Sequence, residues 1–223
     1  MKWLKALPVV CLAALWSTSA LAQDPVKVDP AHYKLVFENP SVRVLTITYP
    51  AGASSKMHQH PDSIVIPLVT SKVRFTTPDG KSTDAELVKD SATYTPAGTH
   101  NPKNIGTAPI SAVLVEFKGA APGKATFPAA RPGMTLKPLA DGPYGAAFLS
   151  TASPSFAEPA GTKHDFDQVV IALGPTSLSL SIDGKPAKTT WKRGDAVFIG
   201  RGVGHESKNT GDKTGDVVIV AIK

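Results

Sequence analysis

Two histidines, His58 and His60, stand one residue apart in the segment KMHQHPDSIVIP (56–67). Side chains two residues apart in an extended chain point to the same face, so these imidazoles would lie roughly 6.5–7 Å apart at Cα and could bind one metal ion. The β-branched run at 64–66 predicts a buried strand after them, which is a rigid support for a site. A His-x-His pair alone is equally typical of two surface histidines, so a metal site requires a third ligand.

The candidate for a third ligand comes from a repeat within the chain. From His60 the chain runs 20 residues to the glycine of a DGK turn and 40 residues to His100. From His164 it runs 20 residues to the glycine of a second DGK turn and 41 residues to His205. This preserved spacing indicates that one structural unit occurs twice. The sequence therefore predicts that His100 joins the first pair in a three-histidine metal site.

The elements that would position these histidines are strands. The segments VRVLTITY (42–49), SAVLVEFK (111–118) and SLSLSI (177–182) alternate apolar and polar residues, as half-buried strands do. Asp-Gly pairs at 79–80 and 183–184 predict hairpin turns. No stretch has a convincing helical period, so the chain is predicted to be all-β.

The N-terminal segment has the pattern of a secretory signal peptide. Lys2 and Lys5 precede an apolar stretch at 6–16 and the small-residue pattern ALA at 20–22. Cleavage after residue 22 is expected, with export of the mature chain to the periplasm or the extracellular space. No later segment has the 18 or so apolar residues that a membrane helix requires.

Cysteine content and charge limit how the mature chain can be stabilised and which partners it can bind. Its single cysteine, Cys11, would leave with the signal peptide, so stability must come from a core and not from disulfides. Loss of two lysines with that peptide would lower the formal net charge from +6 to +4. The basic residues form no cluster, so nucleic acid is not an expected partner.

The repeat and the composition together predict the domain organisation. Residues 119–140 are rich in Ala, Pro and Gly and are interpreted as a linker. A signal peptide at 1–22, an N-terminal domain at 23–118 and a C-terminal domain at 141–223 complete the assignment.

Both halves resemble cupin domains, and the chain is therefore similar to a bicupin. The family's first motif, G-x5-H-x-H-x3-4-E, is matched in the first half by Gly52, His58 and His60. The second motif, G-x5-P-x-G-x2-H-x3-N, is matched in the first half, one residue short between its last glycine and its histidine, by Pro96, Gly98, His100 and Asn104. In the second half the same motif is matched, with glycine in place of proline, by Gly194, Gly200, Gly202, His205 and Asn209.

This resemblance implies two antiparallel β-barrels of the jelly-roll type, with metal ligands projecting into each barrel mouth. The first half departs from the motif, because Asp62 and Ser63 occupy the region of the usual glutamate and serine is a poor metal ligand. The expected site then consists of His58, His60 and His100, with Asp62 as a possible outer or fourth ligand. Such neutral nitrogen donors suit Fe, Ni, Cu or Zn better than Mg or Ca.

The second half retains fewer of the motif's ligands. Thr162 stands at the first histidine position, His164 at the second, Gln168 at the glutamate position and His205 at the late histidine position. The resemblance therefore implies a possible second, degenerate site made by His164, Gln168 and His205. His32 lies outside both motifs and receives no role.

Two functions fit this reading. One is a metal-dependent, oxygenase-like enzyme that acts on a small organic substrate at the three-histidine site. The other is a non-catalytic exported protein that binds a metal ion or a small ligand, because the fold alone does not decide between them. No catalytic acid or base is assigned, although Asp62 and, less well, Tyr94 are the nearest ionisable candidates.

Overall fold

The computed structural model describes residues 24–119, 125–126 and 129–223, and nearly all regular structure in this part of the chain is strand. One short helix, α1, spans Pro25–Val28. No helix among the described residues is long and apolar enough to cross a membrane. The predicted signal peptide at 1–22 lies outside them.

The first half contains two antiparallel sheets. Its strands are β1 (Tyr33–Glu38), β2 (Val42–Tyr49), β3 (His58–His60), β4 (Ser63–Pro67), β5 (Ser71–Thr76), β6 (Ser82–Leu87), β7 (Thr93–Thr95), β8 (Gly98–Asn104) and β9 (Ile110–Phe117). A five-stranded sheet has the order β1-β2-β9-β4-β7, and a four-stranded sheet has the order β3-β8-β5-β6.

The second half repeats this arrangement. Its strands are β10 (Met134–Asp141), β11 (Gly145–Ala152), β12 (Asp167–Ala172), β13 (Leu178–Ile182), β14 (Lys185–Lys188), β15 (Ala196–Ile199), β16 (His205–Asn209) and β17 (Gly215–Ile222). A five-stranded sheet has the order β10-β11-β17-β12-β15, and a three-stranded sheet has the order β14-β13-β16. Each half thus has the two-sheet, antiparallel architecture of a jelly roll.

Three apolar clusters hold these sheets together. One lies within the first half, between its two sheets, and one lies within the second half. The third joins the two five-stranded sheets, where Val44, Ile64 and Val115 belong to the same cluster as Val169 and Val220. The central strands are therefore buried on both faces. Strand β9, predicted to be half-buried, is buried along nearly its whole length. The five-stranded sheet of the second half covers its outer face.

The sequence predictions match the strands closely, whereas residues 120–124 and 127–128 of the predicted linker lie outside the described residues. The segments 42–49, 111–118 and 177–182 correspond to β2, β9 and β13, and hairpins β5–β6 and β13–β14 form at the two Asp-Gly pairs. The linker prediction of 119–140 needs correction, because residues 134–140 belong to β10, an edge strand paired with β11.

Candidate metal centre

Three histidine side chains meet at one end of the first half. His58 and His60 are the two ends of β3, and His100 on β8 pairs directly with His58. Alternation along β3 sends both of its imidazoles to the same face, and antiparallel pairing brings the third beside them. One nitrogen from each ring lies within 4.8 Å of the other two. The structure thus brings together the three residues that the sequence predicted.

In His58 and His60, hydrogen bonds determine which ring nitrogen can bind a metal ion. His58 Nδ1 lies 2.8 Å from the backbone oxygen of Lys56, which can only accept, so Nδ1 carries the proton. His60 Nδ1 lies 2.6 Å from a carboxylate oxygen of Glu116 and donates to it. The Nε2 atoms of both rings therefore present lone pairs, the form in which histidine binds a metal ion.

Burial keeps two of the three imidazoles, His58 and His100, neutral. It lowers the pKa of His58 to about 4 and the pKa of His100 to about 3, with the neighbouring histidines adding to the second shift. At neutral pH these rings do not need to lose a proton before a cation binds. Three converging imidazole nitrogens are suited to a divalent transition-metal ion.

Glu116 stands behind this cluster and was missed by sequence reasoning. It is fully buried on β9, directly across from Ser63 on β4 and Arg43 on β2. Arg43 Nε donates to its second oxygen at 2.5 Å, and Arg43 also pairs with Asp24. The neighbouring strand therefore places a carboxylate beside Ser63, but it accepts from His60 Nδ1 and is not one of the converging ligands. Its signal was visible as one acidic residue inside the apolar run SAVLVEF.

Tyr33 is a second residue that the sequence did not reveal. Its side chain is buried, and its hydroxyl lies 3.0 Å from His58 Nε2, the nitrogen that would face an ion. Since Nε2 carries the lone pair, the phenol donates this hydrogen bond. Burial raises the pKa of Tyr33 well above its usual value, so the hydroxyl keeps its proton.

Two members of the cluster, His60 and His100, line a largely apolar cavity of about 90 Å³. Its walls include Val65, Val73, Phe75, Leu87 and Leu114. Apolar cavities with a few convergent polar groups are the places where proteins bind small organic ligands.

Asp62 does not join the three histidines. Its carboxylate accepts a hydrogen bond of 2.6 Å from the Tyr94 hydroxyl and lies outside the cluster. The reason is strand alternation: Ser63 lines the cavity, whereas Ile64 faces the other half, and Asp62 lies on the same side as Ile64.

A second cluster occupies the corresponding place in the second half. Ligand atoms of Glu158, His164 and His205 lie within 4.8 Å of one another. Gln168, predicted as the third member, is also present, with its amide nitrogen 3.3 Å from His205 Nε2.

Thr162 pairs with His205 as His58 pairs with His100, which agrees with its assigned motif position. Glu158 was missed because it lies before the motif in sequence.

Comparison with known proteins supports the fold. No protein-family model and no curated protein matches the sequence. Among solved structures, AerE from Microcystis aeruginosa is 12% identical and has a TM-score of 0.64, over 86% of this chain and 97% of that one. Salicylate 1,2-dioxygenase from Pseudaminobacter salicylatoxidans is 9% identical, with a TM-score of 0.61 over 82% of this chain and 71% of that one.

A third similar structure is a cupin 2 conserved barrel domain protein from Leptotrichia buccalis. It is 10% identical, with a TM-score of 0.56 over 86% of this chain and 88% of that one. These matches cover most of the chain, and at such low identity they show a shared fold. The chain thus has the cupin fold, and its three-histidine cluster fits a metal-binding member of that fold.

Proposed function

We propose that this protein binds one divalent transition-metal ion, Fe, Ni, Cu or Zn, through His58, His60 and His100. The observation that carries the proposal is the convergence of three imidazole rings, two of them buried, beside an apolar cavity that His60 and His100 line. Nitrogen donors without a carboxylate suit these ions better than Mg or Ca, which prefer oxygen.

The further proposal is that the site is an enzyme's active site, oxygenase-like, for a small organic substrate. When bound, an ion held by three ligands supplies open positions for substrate and dioxygen. The apolar walls would hold the organic body and exclude water, and the Ser63 and Thr95 hydroxyls could orient a polar group. No lysine or arginine lies among the residues that line the cavity, so they offer an anionic substrate no cationic side chain.

The structural neighbours suggest where a substrate screen should begin. One is named salicylate 1,2-dioxygenase, and a structure of that protein is an adduct with gentisate. Salicylate and gentisate are therefore reasonable first compounds, followed by neutral aromatic compounds that better match the apolar lining.

Metal analysis combined with an oxygen-uptake screen tests the proposal. We expect purified protein to hold about one equivalent of a redox-active metal at this site and to consume oxygen when its substrate is added. The variant His100→Ala should lose both properties, whereas His32→Ala, which removes a histidine outside the cluster, should keep them. Tightly bound metal without turnover would instead identify a non-catalytic metal- or ligand-binding protein.

Export is also part of the proposal, and it is supported by the sequence pattern of residues 1–22. Cleavage after Ala22 would leave Asp24 as the second residue of the mature chain. Asp24 caps α1 through its side chain and pairs with Arg43, which in turn contacts Glu116 behind the metal centre. The mature chain would thus keep every contact of the site described above.

A further inference from the structure

We infer that the second half contains its own cation site, in which Glu158, His164 and His205 bind a divalent transition-metal ion. The carboxylate comes from outside the repeated motif and takes the place assigned above to Gln168. Glu158 Oε2 lies 3.8 Å from His205 Nε2, and the two side chains are 8% and 5% exposed.

His205 presents an unprotonated ring nitrogen to both the Glu158 carboxylate and the Gln168 amide. His205 Nδ1 lies 3.2 Å from the backbone oxygen of Val203 and donates to it, so Nε2 is the unprotonated nitrogen. The His164 ring lies 4.9 Å from the His205 ring and stacks on Phe166 at 5.0 Å. This stacking holds the His164 ring beside its partner ligands.

The position of Glu158 has a counterpart in the first half. The backbone N–H of Glu158 donates to the oxygen of Ser207, as the N–H of Ser55 donates to the oxygen of Pro102. Both residues thus precede β3 or its equivalent and pair with the late-histidine strand. The first half has serine here and three histidines. The second half has glutamate here and threonine at the first histidine position, so a carboxylate compensates for the lost imidazole.

Arg131 gives this site a property that the first lacks. Its Nη1 donates to Glu158 Oε1 at 2.6 Å, while Oε2 accepts from Ser207 Oγ at 3.2 Å and faces the histidines. The guanidinium neutralises the buried carboxylate when no cation is bound, which offsets the cost of burying that charge. It also repels an incoming cation, so the second site should bind more weakly than the first.

The donor set determines the class of ion. Two imidazoles and one carboxylate bind divalent iron, cobalt and zinc and leave coordination positions open. The cavity behind them is about 70 Å³ and is lined by Phe148, Phe156, Phe166, Leu178 and Trp191 among other apolar residues. A small apolar ligand could therefore reach the ion.

Cobalt titration of the metal-free, full-length protein tests this inference, with stoichiometry followed by calorimetry and the d–d absorption spectrum. Two equivalents are expected, the weaker of which disappears in Glu158→Gln and remains in Gln168→Ala. Arg131→Met should tighten the weaker site about tenfold because a like charge is removed. That variant gains binding, so its result cannot arise from failure to fold.

Retention of the second equivalent in Glu158→Gln together with its loss in Gln168→Ala would overturn the inference. An unchanged weaker site in Arg131→Met would also contradict it. The first site is followed separately through His100→Ala. A protein that binds one equivalent, lost in His100→Ala and kept in Glu158→Gln, would overturn this inference and leave the proposed function standing.

Discussion

Glu116 and Tyr33, two side chains that are not histidines, set the properties of the three-histidine cluster. Glu116 accepts the Nδ1 proton of His60 and is itself held by Arg43, so it orients that ring and leaves the Nε2 lone pair for a metal ion. Tyr33 does the opposite at His58, because its hydroxyl occupies the Nε2 lone pair in the metal-free protein. Replacing these two residues is therefore expected to change metal affinity in opposite directions.

Replacing Glu116 should weaken metal binding. In Glu116→Gln the charged acceptor for His60 Nδ1 is lost, and metal affinity is expected to fall by roughly 10- to 100-fold. A chelator competition assay measures this, and Glu38→Gln, which breaks an exposed ion pair with Lys118, is the matched control. Wild-type affinity in Glu116→Gln would show that the carboxylate does not act through His60.

Removing the Tyr33 hydroxyl should strengthen metal binding. The hydrogen bond to His58 stabilises the metal-free form by about 1 kcal/mol, so Tyr33→Phe is expected to raise metal affinity about fivefold. Its thermal stability without metal should fall slightly at the same time. A fall in affinity would mean that the phenol oxygen is itself a metal ligand.

At the level of the strands, regular alternation of apolar and polar residues made most of them predictable. The strand that was missed, β10, has a physical reason. Strand β10 was assigned to the linker because the segment 119–140 is rich in Ala, Pro and Gly. Proline is tolerated there because β10 is an edge strand, and its register shifts between Pro138 and Ala140.

The histidines were found from their spacing along the chain. Glu116 and Glu158 were not, because their roles depend on which strands become neighbours.

The packing between the two halves predicts an unusually sensitive glycine. A Cβ at Gly145 on β11 would lie 2.5 Å from the Phe117 ring of the first half and 2.9 Å from the backbone oxygen of Ala221. Gly145→Ala is therefore expected to lower the free energy of unfolding by roughly 1–3 kcal/mol. Gly174→Ala, where a Cβ meets nothing within 4 Å, is the control for chemical denaturation. Equal stability of the two variants would contradict this description of the interface.

At the scale of the whole molecule, the two halves share one apolar core and are also joined by polar contacts. Ser41 donates to Asp167 at 2.5 Å, and Arg193 donates to Asp90 at 2.6 Å. Separation of the halves would expose the apolar outer faces of both five-stranded sheets, which water disfavours. Each cavity therefore depends on a sheet whose other face is covered by the opposite half.

Export makes a prediction for the whole chain. Under the proposed export, protein recovered from the periplasm or the medium should begin at or near Gln23 and contain no thiol, because Cys11 would leave with the signal peptide. Intact mass spectrometry measures both properties. A mature chain that retains Cys11, or that carries a lipid on it, would contradict soluble export.

The most direct test of the metal centre is anomalous diffraction at the metal absorption edge, from crystals of the full protein loaded with one equivalent of zinc. We predict one strong peak in the first cavity, about 2.0–2.2 Å from Nε2 of His58, from Nε2 of His60 and from a ring nitrogen of His100. Crystals of His100→Ala should lose it. A peak only at the second cluster or on the surface, with none among these three histidines, would contradict the account.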